Sequence, residues 1–218
     1  MNLETISRQD YTLNRETAYL FGVYLTDGSI TDCNFNLQAI DRDFVERALS
    51  CLQKIRPDSK SYLRIRHDTG SWNKSPRFVI KVGLGDYARW FKSQTNFKHH
   101  LPTVIWSAND GLKRWFIAGV MDGDGWISKT KRVGENYKYD CFQYRIGIGG
   151  VEEGWIYEFR ELLNSLGVKC NKVERALTDN KKMFCRFGIN PKSFFDAKLF
   201  FTIKRKQDRC IIASTTAR

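Results

Sequence analysis

Two aspartates stand at the ends of apolar runs with helical spacing, and they stand there in the same way. Asp27 closes the run in LFGVYLTDGSI at 20–30, and Asp124 closes the run in IAGVMDGDGWI at 117–127. A shift of 97 residues lays Gly22 on Gly119, Val23 on Val120, Asp27 on Asp124, Gly28 on Gly125 and Ile30 on Ile127. One such aspartate could simply end its helix in an Asp-Gly turn. Two at matched places ask for a shared task. Carboxylate oxygens are hard ligands of the kind Mg2+ accepts beside waters and phosphate oxygens. A metal ion so held lowers the pKa of a bound water and makes it a nucleophile at neutral pH.

The elements that must carry these acids are legible on either side. Residues 14–26 read as a helix with Ala18, Phe21, Gly22 and Leu25 on one face, Asn14 as its cap and Glu16 in its first turn. In the second half, Asn109 or Asp110 can cap a helix carrying Leu112, Trp115, Phe116, Ala118 and Gly119. Gly22 and Gly119 sit inside these helices, where glycine costs roughly 1 kcal/mol against alanine. Their matched positions predict close approach of the two helices to each other.

After each Asp-Gly comes a hairpin, short and turning at Thr31-Asp32-Cys33 in one half, longer and turning at Gly134-Glu135-Asn136 in the other. Helices follow, opening near Asp43 and Glu152, which lie 16 and 28 residues after their aspartates, so the second hairpin is about 12 residues longer. SYLRIRHD and RFVIKVGL, then KCNKVERAL and MFCRFGIN, supply two further strands to each half. DYARWFKSQ at 86–94 and PKSFFDAKLF at 191–200 close them as helices. The expected fold is therefore α+β, an αββαββα unit run twice, with residues 1–100 and 101–218 as its two halves.

Charge narrows the partner. The chain has 218 residues, with Lys and Arg 36 against Asp and Glu 24, a net charge of +12. That excess in a chain with 42% hydrophobic residues, ample for a core, points to a polyanion, most often nucleic acid. The strands hold much of it: Arg64, Arg66, Arg77 and Lys81 in the first half; Lys129, Lys131, Arg132, Lys138, Arg145, Lys172, Arg175 and Arg186 in the second. Several alternate with apolar residues, which predicts a basic sheet face opposite an apolar one. The alternative is an ordinary solvated sheet face. Six cysteines without a C-x-x-C pair read as reduced thiols. No stretch approaches the ~20 apolar residues of a membrane span, and the N-terminus is unlike a secretion signal. A soluble protein kept inside the cell is expected, in cytoplasm, nucleoid or organelle matrix, with no membrane partner.

The two motifs and the repeated element order resemble the LAGLIDADG homing endonucleases, over nearly the whole chain. LFGVYLTDG looks like one copy of the nine-residue signature and IAGVMDGDG like a closer one; two copies resemble the monomeric, two-repeat members. The resemblance implies a saddle of antiparallel sheets over DNA, with the signature helices side by side at a pseudo-twofold interface. Asp27 and Asp124 would hold Mg2+ (or Mn2+), with Ca2+ supporting binding without cleavage, and the carbonyls of Thr26 and Gly123 would add ligands. It implies a meganuclease that cuts a long, asymmetric, pseudo-palindromic double-stranded target across the minor groove. Short 3′ overhangs would result, in the service of intron mobility. A basic residue near each centre is also implied: Lys98 in TNFKHHLP and Lys204 in FTIKRKQDR. Gln38 or Asp41 could position water in the first half, whereas the second offers only Gly147-Ile148-Gly149-Gly150. Copy one departs from the signature at Leu25, opposite Asp122, a place the family does not use on metal.

Rivals are weaker. An EF-hand register on DGDG puts Val120 and Lys131 where acids are required. His99-His100 has no Cys or acid cluster nearby in sequence. An intron maturase binding RNA, or a non-cleaving DNA-binding regulator, would share the fold and the charge. A chain opening on Met1 weighs against an intein as the carrier.

Overall fold

The computed structural model describes residues 11–66, 76–132, 141–151, 153–178 and 182–216. Two four-stranded antiparallel sheets flank a pair of buried helices. The first sheet has the order β1-β2-β4-β3, from Ser29–Thr31 (β1), Asn34–Ala39 (β2), Ser61–Arg66 (β3) and Arg77–Gly83 (β4). The second repeats it as β5-β6-β8-β7, from Gly125–Arg132 (β5), Cys141–Gly150 (β6), Glu174–Leu177 (β7) and Met183–Ile189 (β8). Helices α1 (Arg15–Leu25), α2 (Arg42–Ile55) and α3 (Tyr87–Gln94) belong with the first sheet. With the second come α5 (Asp110–Gly123), α6 (Glu153–Ser165) and α7 (Pro191–Asp196). Two helices were not foreseen: α4 (Thr103–Trp106), which leads into α5, and α8 (Lys204–Thr216). No helix among the described residues is long and apolar enough to cross a membrane.

Local chemistry explains where the central helices begin. Asn14 Oδ1 accepts from Thr17 N at 2.9 Å while Thr17 Oγ1 accepts from Asn14 N at 2.8 Å, a reciprocal cap on α1. Of the two candidates for α5, Asn109 is the cap, accepting from Leu112 N at 3.0 Å. Helix α1 is buried through most of its length and α5 from Phe116 to Asp122, with Phe21 stacking on Phe91 at 4.2 Å between ring centroids. Each such fully buried apolar side chain contributes about 1.5–3 kcal/mol.

The helices meet backbone to backbone. A Cβ on Gly22 would lie 2.3 Å from Phe116 O and 2.6 Å from Val120 N. One on Gly119 would lie 2.2 Å from Tyr19 O and 3.1 Å from Val23 N. The 97-residue shift carries each set of contacts onto the other, so the contact is self-complementary, as a pseudo-twofold axis requires. The helix cost of each glycine is the cost of that approach.

The first hairpin turns at Asp32, with φ of 52°, and Cys33, as expected. The turn expected at 134–136 lies outside the described residues. KCNKVERAL is strand only from Glu174, with Cys170 bridging Ile189 alone. The helix of PKSFFDAKLF stops at Asp196, because Lys198 is left-handed at φ 58°. Its start is fixed by Pro191 and by Asn190 accepting from Ser193 N.

Candidate functional site

Below the glycine contact the two helix C-termini touch again. A Cβ on Gly123 would lie 2.1 Å from Thr26 Oγ1, so the last turns of α1 and α5 are in contact one residue before each acid. Asp27 and Asp124 are thereby brought together. Asp124 carries the mark of this: its carboxyl is pushed up to about 7, first by burial and then by the charge of Asp27. Asp27 is raised as well, by the protein around it, with Lys206 and Lys98 pulling it back and Asp41 adding to the rise. Its own surface is open to solvent, which limits that shift.

Two ammonium groups complete the centre. Lys98 Nζ donates to Thr26 O at 2.9 Å and lies 5.3 Å from the Tyr24 ring centroid. Lys206 Nζ donates to the carbonyls of Met121 (3.0 Å), Asp122 (2.6 Å) and Gly123 (3.3 Å). Burial lowers the Lys206 pKa to about 8, against the pull of Asp122, Asp41 and Asp27. Each lysine therefore sits on the carbonyl end of one signature helix, the negative pole of its dipole.

This corrects one expectation. Lys204 is not at the centre: its Nζ pairs with Asp208 at 3.0 Å and its side chain is 83% exposed. Positions 204 and 206 share one helix, α8, where a step of two residues turns a side chain about 200°. If Lys206 faces in, Lys204 faces out. The sequence held a signal for this: Lys98 follows Asp27 by 71 residues and Lys206 follows Asp124 by 82, a difference that matches the longer second hairpin better than Lys204 does.

Asp122, given no role from sequence, is buried and accepts from Tyr19 Oη (2.8 Å), Thr202 Oγ1 (2.5 Å) and the N–H groups of Thr202 (2.9 Å) and Ile203 (3.3 Å). It pins the start of α8 and so aims Lys206. Lys98 is delivered by a loop in which Asn96, Phe97 and Lys98 are all left-handed, at φ 42°, 55° and 78°. Three consecutive non-glycine residues there cost about 1–2 kcal/mol each, and such strain persists only where the surroundings impose it.

A recess of about 270 Å3 opens beside Asp27, lined by Gln38, Asp41, Arg77, Arg205 and Lys206 among others. Of the two candidates for positioning water, Asp41 has its oxygens taken by Arg205, at 2.5 and 2.6 Å. Gln38 lines the recess. In the second sheet the strand next to the centre offers Gly149, opposite Arg186.

Register sorts the basic residues by face. Tyr62, Arg64 and Arg66 pair with Lys81, Val79 and Arg77, and Asn36 and Gln38 pair with Lys81 and Val79, so these share the face opposite buried Ile80 and Val82. In the second sheet Ser128 pairs with Arg145 and Trp126 with Gly147, opposite buried Ile127 and Ile146. That face holds a depression of about 520 Å3 lined by Trp126, Gln143, Arg145, Asn171, Glu174 and Arg186. Arg186 is paired there with Glu174 at 3.0 Å.

Three predicted contacts fall on the other face. Lys129 and Lys131 share the parity of Ile127, with Lys129 3.8 Å from the Phe142 ring centroid. Arg175 pairs in register with buried Cys185 and donates to Tyr157 Oη at 2.8 Å. The alternation around Lys129 and Lys131 was with Ser128 and Thr130, not with apolar residues, so it did not say which face was inside. Lys172 is exposed in the loop before β7. Lys138 and the side chain of Arg132 lie outside the described residues. Trp126, two residues past Asp124 and lying across Gly147, is an exposed aromatic on the basic face that sequence reasoning passed over.

The architecture has close relatives in shape. The homing endonuclease I-WcaI, solved bound to its DNA recognition sequence, superposes with TM-score 0.56 at 14% identity, over 95% of this chain and 94% of that one. I-DmoI in complex with DNA and Mn gives 0.50 at 15% identity, over 86% and 94%. Full-length WhiA from Thermatoga maritima gives 0.57 at 12% identity, over 96% of this chain and 63% of that one. This chain thus has the LAGLIDADG homing endonuclease fold in its two-motif form. In sequence it is 22% identical over 194 residues to the ATP-dependent DNA helicase Hel308 of Thermococcus kodakarensis; the match covers 86% of this chain but 15% of that protein. No family model matches the chain.

Proposed function

We propose that the chain is a site-specific double-strand DNA endonuclease that works with Mg2+ or Mn2+. The observation that carries this reading is the pair of touching helix ends. They hold two acids close enough that the charge of Asp27 adds to the burial that raises Asp124, and an ammonium group lies on the carbonyls beside each. Two carboxylates with the carbonyls of Thr26 and Gly123 form an all-oxygen donor set, which fits a hard divalent cation. Those carbonyls already attract cations, since Lys98 and Lys206 lie on them. Among the described residues no group of three or more His, Cys, Asp or Glu is arranged to hold a metal alone. Waters and the scissile phosphate would therefore supply the remaining oxygens. The ion would supply an acidified water and neutralisation of the leaving oxygen.

The chain's own groups have separate parts in this reading. Lys206, mostly charged at pH 7, and Lys98 place positive charge where phosphate oxygens gain negative charge. Gln38 orients a water in the recess beside Asp27. Arg64, Arg66, Arg77, Lys81 and Arg145, with Trp126, form a face for duplex DNA, whose phosphates fix register and whose base edges fix sequence. Likeness in fold to nucleases seen on DNA supports the partner. The two repeats, 1–100 and 101–218, would supply one half-site each, so that one chain serves as a monomer.

A second reading is kept open by WhiA, whose shape is matched as well as that of I-WcaI. In it the fold binds DNA, or intron RNA as a maturase, without cutting. Selection of cleaved duplexes from a randomised library in Mg2+ separates the two. Wild type should cut an asymmetric site leaving a short 3′ overhang, and Asp27→Asn, Asp124→Asn and Lys206→Met should each slow cutting at least about 100-fold. Lys204→Met should cut as wild type does. Tight, salt-sensitive binding without cutting would overturn the nuclease in favour of the regulator or maturase.

A further inference from the structure

The two lysines beside the acids are each carried by one repeat and braced by the other. Lys98 lies in the segment that ends the first repeat. Two residues on, His100 Nδ1 meets Glu158 Oε1 of α6 at 2.5 Å, and Leu101 N donates to Glu158 Oε2 at 2.7 Å. His99 O sits where a Cβ on Gly154, also on α6, would lie 2.6 Å away, so the loop lies directly on that helix. Lys206 belongs to the second repeat. Its neighbour Arg205 makes a two-toothed ion pair with Asp41, the residue just before α2 of the first repeat, and Lys204 N donates to Asp43 Oδ2 at 2.8 Å. Helices α2 and α6 hold equivalent places in the two repeats, so the bracing is reciprocal.

Resting on the endonuclease reading, the geometry points to Glu158 and Asp41 as positioning residues, each aiming the lysine of the opposite repeat at its own centre. Neither touches the reacting atoms. Glu158 acts through the left-handed run Asn96–Phe97–Lys98, which relaxes toward ordinary backbone if its C-terminal anchor is released. Asp41 acts through the first turn of α8, which Asp122 holds from the other side. A bidentate arginine–carboxylate pair fixes direction as well as distance, which suits the aiming of a side chain one residue away. The consequence is that the centres fail independently: each brace governs one lysine and leaves the other aimed.

The experiment has two arms on the full chain. In the first, metal-free wild type, Glu158→Ala and Asp41→Ala are reductively methylated and each lysine is quantified by mass spectrometry. Lys98 should react faster in Glu158→Ala with Lys206 unchanged, and Lys206 faster in Asp41→Ala with Lys98 unchanged. In the second, supercoiled plasmid bearing a selected target is cut under single-turnover conditions with strand-specific label. Each alanine variant should slow one strand roughly 10–100-fold, accumulate nicked circles, and spare the opposite strand from the one the other variant spares. Glu158→Gln, which can still accept from Leu101 N, should recover most of the loss. Equal loss on both strands, both lysines loosened in either variant, or unchanged reactivity overturns the proposal. If wild type fails to cut, the endonuclease reading falls and the methylation arm still decides the brace.

Discussion

At the scale of single residues, the Asp27–Asp124 pair stores an electrostatic cost. Asp124 ordinarily ionises near 3.8, and in the fold its pKa rises to about 7. A carboxyl raised on folding stabilises the native state below its unfolded pKa, and that stability is lost as pH rises through the folded value. The metal-free protein should therefore lose melting temperature between pH 4 and 7. Asp124→Asn should flatten that slope and be the more stable protein at pH 8, by about 1–4 kcal/mol at 1.36 kcal/mol per unit. Calorimetry in a chelator at several pH values checks this, and equal slopes in the two proteins would refute it. In the endonuclease reading a bound metal would displace the same proton, so apparent metal affinity should weaken as pH falls below 7. A substitution that stabilises while slowing cleavage is what the endonuclease reading predicts for this acid.

At the scale of elements, everything depends on two helices approaching without side chains between them. Gly119→Ala puts a methyl 2.2 Å from the Tyr19 carbonyl, and Gly22→Ala puts one 2.3 Å from that of Phe116. Neither obstacle is the end of a flexible side chain, so the helices must separate. Destabilisation of about 1–3 kcal/mol or more is expected from such overpacking, despite alanine's better helix propensity. Urea denaturation should show it, and a stabilised Gly119→Ala would mean the axis has slack. Separation of the helices would also part Thr26 from Gly123, so cleavage should fall further than stability alone explains.

At the scale of the whole molecule, pseudo-symmetry is broken by the hairpins. β1 and β2 span 3 and 6 residues, β5 and β6 span 8 and 10. At about 3.3 Å per residue the second hairpin reaches several residues further from the acids. Footprinting should show protection extending further from the cut on one side, and a symmetric footprint on a perfect palindrome would count against the reading. The centre is asymmetric too, with Gln38 in one half and Gly149 in the other.

The duplicated motif, the element order, the interface glycines and the first-hairpin turn were legible in the sequence. They depend on local propensity and on spacing along the chain, and a repeat shows each of them twice. Asp27 and Asp124 were singled out for the same reason, and the structure brings them together. What the sequence left open was direction. Lys204 and Lys206 differ by two positions, and only the seating of α8 on Asp122, Asp41 and Asp43 decides which one turns inward. Lys129 and Lys131 lie in a strand without apolar alternation at that point, so only pairing with β6 assigns their face. Nothing in the sequence ties Glu158 or Asp41 to a lysine of the other repeat, since their partners His100 and Arg205 lie 58 and 164 residues away. Their meaning comes from long-range packing of one repeat on the other, which no local pattern encodes.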